Sequence, residues 1–206
     1  MQYNPKVDVI VSSDDTGMLE YWQLDEDVDQ GFSQPKPPKV QWEFKSETDL
    51  YEFKKCKSFP TSLQFSPDYT KFVTFGFSDR QIRIFQFNTG KLLRKYDESL
   101  TAITQMQKSG VEAYTLDEME FGRRLALDRD LERIKGGQSY TVNAVFDETG
   151  NFVIYPTLLG IKMVNIVTNK LARLIGKGET QRFMNISIYQ GAPKKKNFIT
   201  LVCIIW

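Results

Sequence analysis

Apolar and polar residues alternate with a period of two in two stretches that repeat each other, Gln81 to Tyr96 (QIRIFQFNTGKLLRKY) and Gly160 to Ile175 (GIKMVNIVTNKLARLI), beginning 79 residues apart. Ile82, Ile84 and Phe87 recur as Ile161, Met163 and Ile166, and Arg83 recurs as Lys162. The turn Thr89-Gly90-Lys91-Leu92 recurs as Thr168-Asn169-Lys170-Leu171. Such alternation predicts a strand with one buried and one more solvated face. Gly90 and Asn169 are residue types that readily take left-handed backbone, so each copy predicts a hairpin turning at that residue.

A second hairpin precedes each copy. Ser62 to Phe65, the turn Ser66-Pro67-Asp68 and Lys71 to Phe75 form one; Asn143 to Phe146, the turn Asp147 to Gly150 and Asn151 to Tyr155 form the other. Four short strands in a meander make one blade of a β-propeller, so the pattern predicts an all-β propeller. A third copy opens the chain, with Val9 to Ser13 as second strand, Asp15-Thr16-Gly17 as turn and Met18 to Trp22 as third strand. Trp22 there takes the place of Phe85 and Val164. Gln2 to Pro5 would end the first strand, and Val40 to Phe44 would be the fourth. A fourth, partial copy runs from Asn185 to Tyr189 and from Phe198 to Trp206. Blades are expected at about 2–45, 59–96, 140–176 and 183–206. That makes about three and a half blades of the usual 40 to 45 residues, where closed rings have 4 to 8. The expected propeller is therefore incomplete, with blades missing or supplied by another chain, because an open stack leaves blade faces uncovered.

Between blades the pattern changes. Asp25 to Lys39, with four acidic residues and Pro35, Pro37 and Pro38, reads as a surface loop, since proline removes ladder donors. Ser46 or Thr48 reads as the N-cap of a helix entering Thr48 to Phe53. The longer insertion, about Asp97 to Gly137, has a helical core at Asp117 to Lys135 within a helical stretch at about 112–136. Phe121, Leu125 and Leu127 to Leu131 follow spacings of four, with Met119 and Ile134 at the edges. Glu120 with Arg124, and Arg124 with Asp128, stand at pairing distance along a helix. Such a helix either only covers core or presents its charged face to a partner. The candidate partner surface is Glu120, Arg123, Arg124, Asp128, Arg129 and Arg133, with the loop run Lys194, Lys195 and Lys196, which could touch phosphate.

Composition narrows the function classes. With 27 basic and 26 acidic side chains, the overall field steers the chain toward neither nucleic acid nor an anionic membrane. No stretch approaches the roughly 20 apolar residues of a membrane span, and polar residues after Met1 predict no secretory leader. Cys56 and Cys203 suggest buried thiols in a reducing compartment. The chain has no histidine, which removes the commonest general base, histidine-dependent nucleophile systems and histidine zinc sites. With no phosphate-binding glycine loop and no metal-ligand cysteine spacing, the sequence predicts no catalytic residues, cofactor, metal or small-molecule substrate. Asp15 and Asp79, in the turns between second and third strands, are expected to be structural, accepting hydrogen bonds from their own turns.

The residues Ser78 to Phe85 (SDRQIRIF) and Asp15 to Trp22 (DTGMLEYW) resemble the turn-and-strand signature of WD-repeat propellers. The longer strings IVSSDDTGMLEYW at Ile10, TDLYEFKKC at Thr48 and MEFGRRL at Met119 resemble nuclear WD-repeat cyclophilins, in a match running from about Gln2 to Gly191. That resemblance implies a protein-interaction propeller associated with spliceosomes, linked to a separate cyclophilin domain that isomerises X-Pro bonds. No cyclophilin domain is recognisable in these residues, so no isomerase residue carries over. Three roles are thus open: a protein scaffold in a nuclear RNA-processing complex, part of an isomerase whose catalytic domain lies elsewhere, or an RNA-contacting surface.

Overall fold

The computed structural model describes residues 1–24, 31–76, 78–133, 141–189 and 201–205. The chain divides into two compact units, Met1–Tyr96 and Asp97–Trp206. The first holds two antiparallel meanders. One is β1 (Gln2–Asn4), β2 (Val9–Ser13), β3 (Leu19–Leu24) and β4 (Phe32–Ser33); the other is β5 (Pro60–Phe65), β6 (Lys71–Gly76), β7 (Gln81–Gln86) and β8 (Leu92–Asp97). In both, each strand pairs with its neighbour in sequence.

The alternation explains how these two sheets join. Val9, Val11, Leu19 and Tyr21 occupy one parity on β2 and β3 and share a core with Phe65, Phe72, Phe85 and Phe87 of the second sheet. Tyr21 stacks on Phe87 with centroids 5.0 Å apart, and its hydroxyl donates to the Phe87 carbonyl at 3.2 Å. A tyrosine can be fully buried there because its one polar atom has a partner.

Val40 to Phe44 is not the fourth strand. That place belongs to β4, whose Ser33 and Phe32 pair with Gln23 and Leu24, ahead of the prolines within the segment expected to be loop. Val40 and Trp42 are buried in the same core without joining a ladder, while the intervening Gln41 amide donates to the Asn88 carbonyl. Their alternation is that of an irregular segment pinned through two side chains. The expected helix start also differs: a 3-10 turn spans Lys45–Glu47, and α1 (Glu52–Lys55) begins after Tyr51 with no side-chain cap. Thr48 instead donates to the Lys45 carbonyl and accepts from the Leu50 amide. Cys56, just past α1, is free and exposed rather than buried.

The second unit contains a third meander, β9 (Val145–Phe146), β10 (Phe152–Thr157), β11 (Gly160–Asn165) and β12 (Lys170–Ile175), and a two-stranded pair, β13 (Phe183–Ile188) and β14 (Leu201–Ile205). Asn143 lies outside β9, yet its side chain acts as a ladder residue. It donates to the Ile186 carbonyl and accepts from the Ile186 amide, both at 2.8 Å. The described residues thus form three four-stranded antiparallel meanders, each built like a β-propeller blade, and a two-stranded pair. Gly90 and Asn169 both have left-handed backbone, with φ of 61° and 55°.

The insertion holds two helices in place of the one stretch expected at 112–136, of which residues 112–117 are turn and coil and 134–136 lie outside the described residues. It opens with α2 (Leu100–Lys108), capped by Ser99, whose hydroxyl accepts from the Ala102 amide. The helix α3 (Glu118–Arg133) follows. No described helix is long and apolar enough to cross a membrane.

Candidate partner surface

Two equivalent third-strand positions hold buried cations. Arg83 on β7 donates to the Asp79 carboxylate and to Gln81 Oε1, and its guanidinium lies over the Phe53 ring at 4.3 Å. Asp79 also accepts from the Gln81 amide at 3.2 Å and the Ser58 hydroxyl at 3.1 Å. Its turn role therefore includes neutralising a buried charge. In the first sheet the carboxylate bonded across the turn is Asp14, which accepts from the Met18 amide at 2.7 Å and from the Thr16 hydroxyl at 2.8 Å; Asp14 and Asp15 are both exposed. The expectation for Asp15 thus shifts by one residue, because Asp14 is the residue that reaches across the turn.

In the second unit Lys162 replaces Arg83. Its ammonium donates to both oxygens of Glu98, at 2.7 and 2.8 Å, and Tyr155 donates to the same carboxylate at 3.2 Å. Burial pushes the Glu98 carboxyl up, against the opposing pull of Lys162. Tyr114, from the segment joining α2 and α3, places its ring 5.4 Å from the Lys162 ammonium. The insertion is therefore fastened to the blade by charge as well as by the apolar cluster of Ile103, Phe121, Leu158 and Leu159.

The fastening extends along α3. Arg124 is 4% exposed; it binds Glu120 at 2.6 Å, the Leu158 carbonyl at 3.2 Å and the Lys177 carbonyl at 2.9 Å, and also donates to the Glu179 carbonyl. Asp128 is 0% exposed and accepts from Arg182 at 2.8 Å, while Arg182 also donates to the Thr157 carbonyl at 3.0 Å. Arg123 grips Glu120 through two bonds of 2.8 Å and reaches the Thr180 carbonyl. Hydrogen bonds from Arg123, then Arg124, hold the Glu120 carboxyl down at about 2.

These contacts correct part of the expected surface. Arg124 and Asp128 belong to the fold's interior: Arg124 donates to the carbonyls of Leu158, Lys177 and Glu179, and Asp128 holds Arg182, which donates to the Thr157 carbonyl. Leu127, expected on the apolar side, and Met119, expected at its edge, are exposed, as is Arg129. The outward side of α3 thus carries Met119, Arg123, Leu127 and Arg129. The Arg133 side chain, and Lys194, Lys195 and Lys196, lie outside the described residues. Sequence reasoning missed Glu98, Arg182 and Asp14; the buried Lys162, at the place of Arg83, was the signal that a carboxylate partner was needed.

No protein-family model matches the chain. Curated relatives do. The chain is 51% identical to "Peptidyl-prolyl cis-trans isomerase cyp15" of Rhizopus delemar, in an alignment covering 99% of this chain and 31% of that protein. It is 46% identical to "Peptidylprolyl isomerase domain and WD repeat-containing protein 1" of Homo sapiens, covering 98% of this chain and 30% of that one. Nearly the whole chain is thus similar to one part of proteins named for an isomerase domain and WD repeats. It spans about 30% of the length of the curated relatives it matches. Among solved structures, the Myceliophteria thermophila Cps50 (Swd1) β-propeller domain aligns with a TM-score of 0.48 at 12% identity, over 90% of this chain and 42% of that one. The blade assignment itself rests on strand order and register. Among the described residues, no cluster of three or more histidine, cysteine or acidic residues could hold a metal ion.

Proposed function

We propose that these residues form a rigid protein-interaction platform of a nuclear isomerase of this family. It docks partners in an RNA-processing complex, the spliceosome, while proline isomerisation belongs to sequence outside these 206 residues. One observation carries the reading: near-complete alignment, at 46 to 51% identity, with proteins whose names join an isomerase to WD repeats, over only about 30% of their length. The absence of histidine removes the commonest general base from this part.

The outward side of α3, with Met119, Arg123, Leu127 and Arg129, is the proposed contact. Its inner side is locked by Arg124 and Asp128, so the face is presented without a large ordering cost on binding. Exposed apolar side chains would supply most of the affinity and the arginines the orientation. The test has two arms. The chain is expected to give no turnover above background on an X-Pro peptide, and to co-sediment with spliceosomal particles from nuclear extract. Turnover on the peptide would overturn the division of labour. Recovery that requires RNA and falls steeply with salt would favour a nucleic-acid contact instead.

A further inference from the structure

Left-handed backbone crowds Cβ against the following carbonyl, so a residue other than glycine that adopts it needs a reason. Among the described residues Asp8, Lys57, Tyr69, Arg80 and Asn169 do so. Asp8 and Asn169 are of the types that tolerate the strain. Tyr69 has its reason in packing, since its ring centroid lies 5.8 Å from that of Phe65 and its carbonyl accepts from the Asn4 side chain. Lys57 and Arg80, each with φ of 52°, are long cations; Lys57 is exposed and Arg80 half-buried.

Both stand where glycine is the usual choice. Lys57 follows the C-cap of α1, where its amide donates to the Lys54 carbonyl at 3.2 Å and the Ser58 amide to the Phe53 carbonyl at 3.0 Å. Those two bonds make a Schellman motif, whose left-handed residue is most often glycine. Arg80 lies five residues before Phe85, as Gly17, with φ of 83°, lies five before Trp22. Two positions that favour glycine therefore carry cations, and strain of this kind gathers at functional sites.

The two cations lie at one end of the first unit. Ser78 Oγ donates to the Lys57 carbonyl at 3.3 Å and Ser58 Oγ to Asp79 at 3.1 Å, which fastens the Arg80 turn to the end of α1. Lys54 and Lys55, in the last turn of α1, are exposed beside them. Asp79 does not cancel this charge, because Arg83 already holds its carboxylate. Asp14 and Asp15 bound the patch: a Cβ on Gly17 would lie 3.1 Å from the Lys54 amide nitrogen, so their turn abuts the same helix end. The Met18 amide chiefly, with a smaller pull from Lys54, holds the Asp14 carboxyl below its ordinary value.

We propose that Lys54, Lys55, Lys57 and Arg80 form a binding site for a short acidic segment of a partner protein. Carboxylates spaced along a peptide can meet the ammonium groups singly and the Arg80 fork as a bidentate pair. A nucleic-acid backbone fits less well. Its charge is continuous and would run against Asp14 and Asp15, and the near balance of 27 basic and 26 acidic side chains lends it no general attraction. The inference goes beyond the α3 contact and does not depend on it.

The test is fluorescence anisotropy of a labelled hexaglutamate peptide titrated with the chain at low salt, beside a labelled uridine hexanucleotide. Lys57→Gly/Arg80→Gly is expected to bind the peptide about fivefold more weakly, through loss of two exposed charge pairs, and to melt no lower than the unsubstituted chain, because glycine enters left-handed backbone without strain. Lys170→Ala, which removes an exposed lysine of the second unit, should leave the affinity unchanged. No binding of the peptide by the unsubstituted chain, binding unaltered by the glycine pair, or an equal loss in Lys170→Ala overturns the proposal. A clearly lower melting temperature of the glycine pair would give the two side chains a role in the fold instead, and overturns it too. Tighter binding of the uridine strand names nucleic acid as the occupant and likewise overturns it.

Discussion

Arg83 and Lys162 occupy the same third-strand position in successive sheets, and each is buried with a carboxylate from a different place in the chain. Arg83 uses Asp79, four residues earlier in its own turn, while Lys162 uses Glu98, 64 residues away at the start of the insertion. One inherited position has thus been satisfied locally in one blade and by tertiary docking in the next. Removing one partner of such a pair leaves an uncompensated buried charge, typically costing about 3 to 5 kcal/mol.

Glu98→Ala is accordingly expected to destabilise the second unit by about 3 kcal/mol or more, whereas Glu98→Gln with Lys162→Met loses much less. A double-mutant cycle in urea denaturation measures the difference. Additive single effects would show that the two side chains are not coupled.

Arg124→Ala should cost about 3 kcal/mol because it strands the carbonyls of Leu158, Lys177 and Glu179. Arg124→Lys should recover little, since an ammonium lacks the planar fork that reaches several acceptors. Arg129→Ala, at an exposed position, should stay within about 0.5 kcal/mol of the unsubstituted chain. Hydrogen exchange along α3 separates the three: protection is lost in the first two and kept in the last.

Gly17 has φ of 83°, and a Cβ there would lie 2.2 Å from the Ser58 carbonyl oxygen. Gly110 has φ of 72° with open space around it. Gly110→Ala should therefore cost only the roughly 1 to 2 kcal/mol of left-handed backbone, and Gly17→Ala clearly more. Thermal melts of the two variants give the ranking.

Asp68 supplies a pH test. Partial burial alone would raise its carboxyl, but hydrogen bonds from Ser66 and Thr70, aided by Lys71, hold it down at about 2. A depressed folded-state value adds stability above the ordinary carboxylate range, which is lost as pH falls through that range toward about 2. Asp68→Asn should flatten that part of the acid denaturation curve. An unchanged curve would mean that the turn contributes nothing through this charge.

The blades were legible because β-periodicity survives in a single sequence: the strands Gln81–Gln86 and Gly160–Asn165 open the two stretches that repeat each other. The fourth strand of the first sheet was not, since a two-residue strand at Phe32 has no period, while Val40 and Trp42 mimic one. The face of α3 was misjudged for a physical reason. Charge normally marks the solvated side, but here Arg124 and Asp128 are buried with carbonyl and arginine partners that come from 34 to 55 residues further along the chain. Nothing in a local window reveals such partners.

The most direct measurement is co-sedimentation of the chain with spliceosomal particles from nuclear extract, comparing the unsubstituted protein with Met119→Asp/Arg129→Glu. Both substituted positions are exposed, so the fold should be retained, as circular dichroism can verify. The account predicts that the unsubstituted chain is recovered with the particles and that the double variant is depleted at least tenfold. Equal recovery of the two, or no recovery of the folded unsubstituted chain, would contradict it.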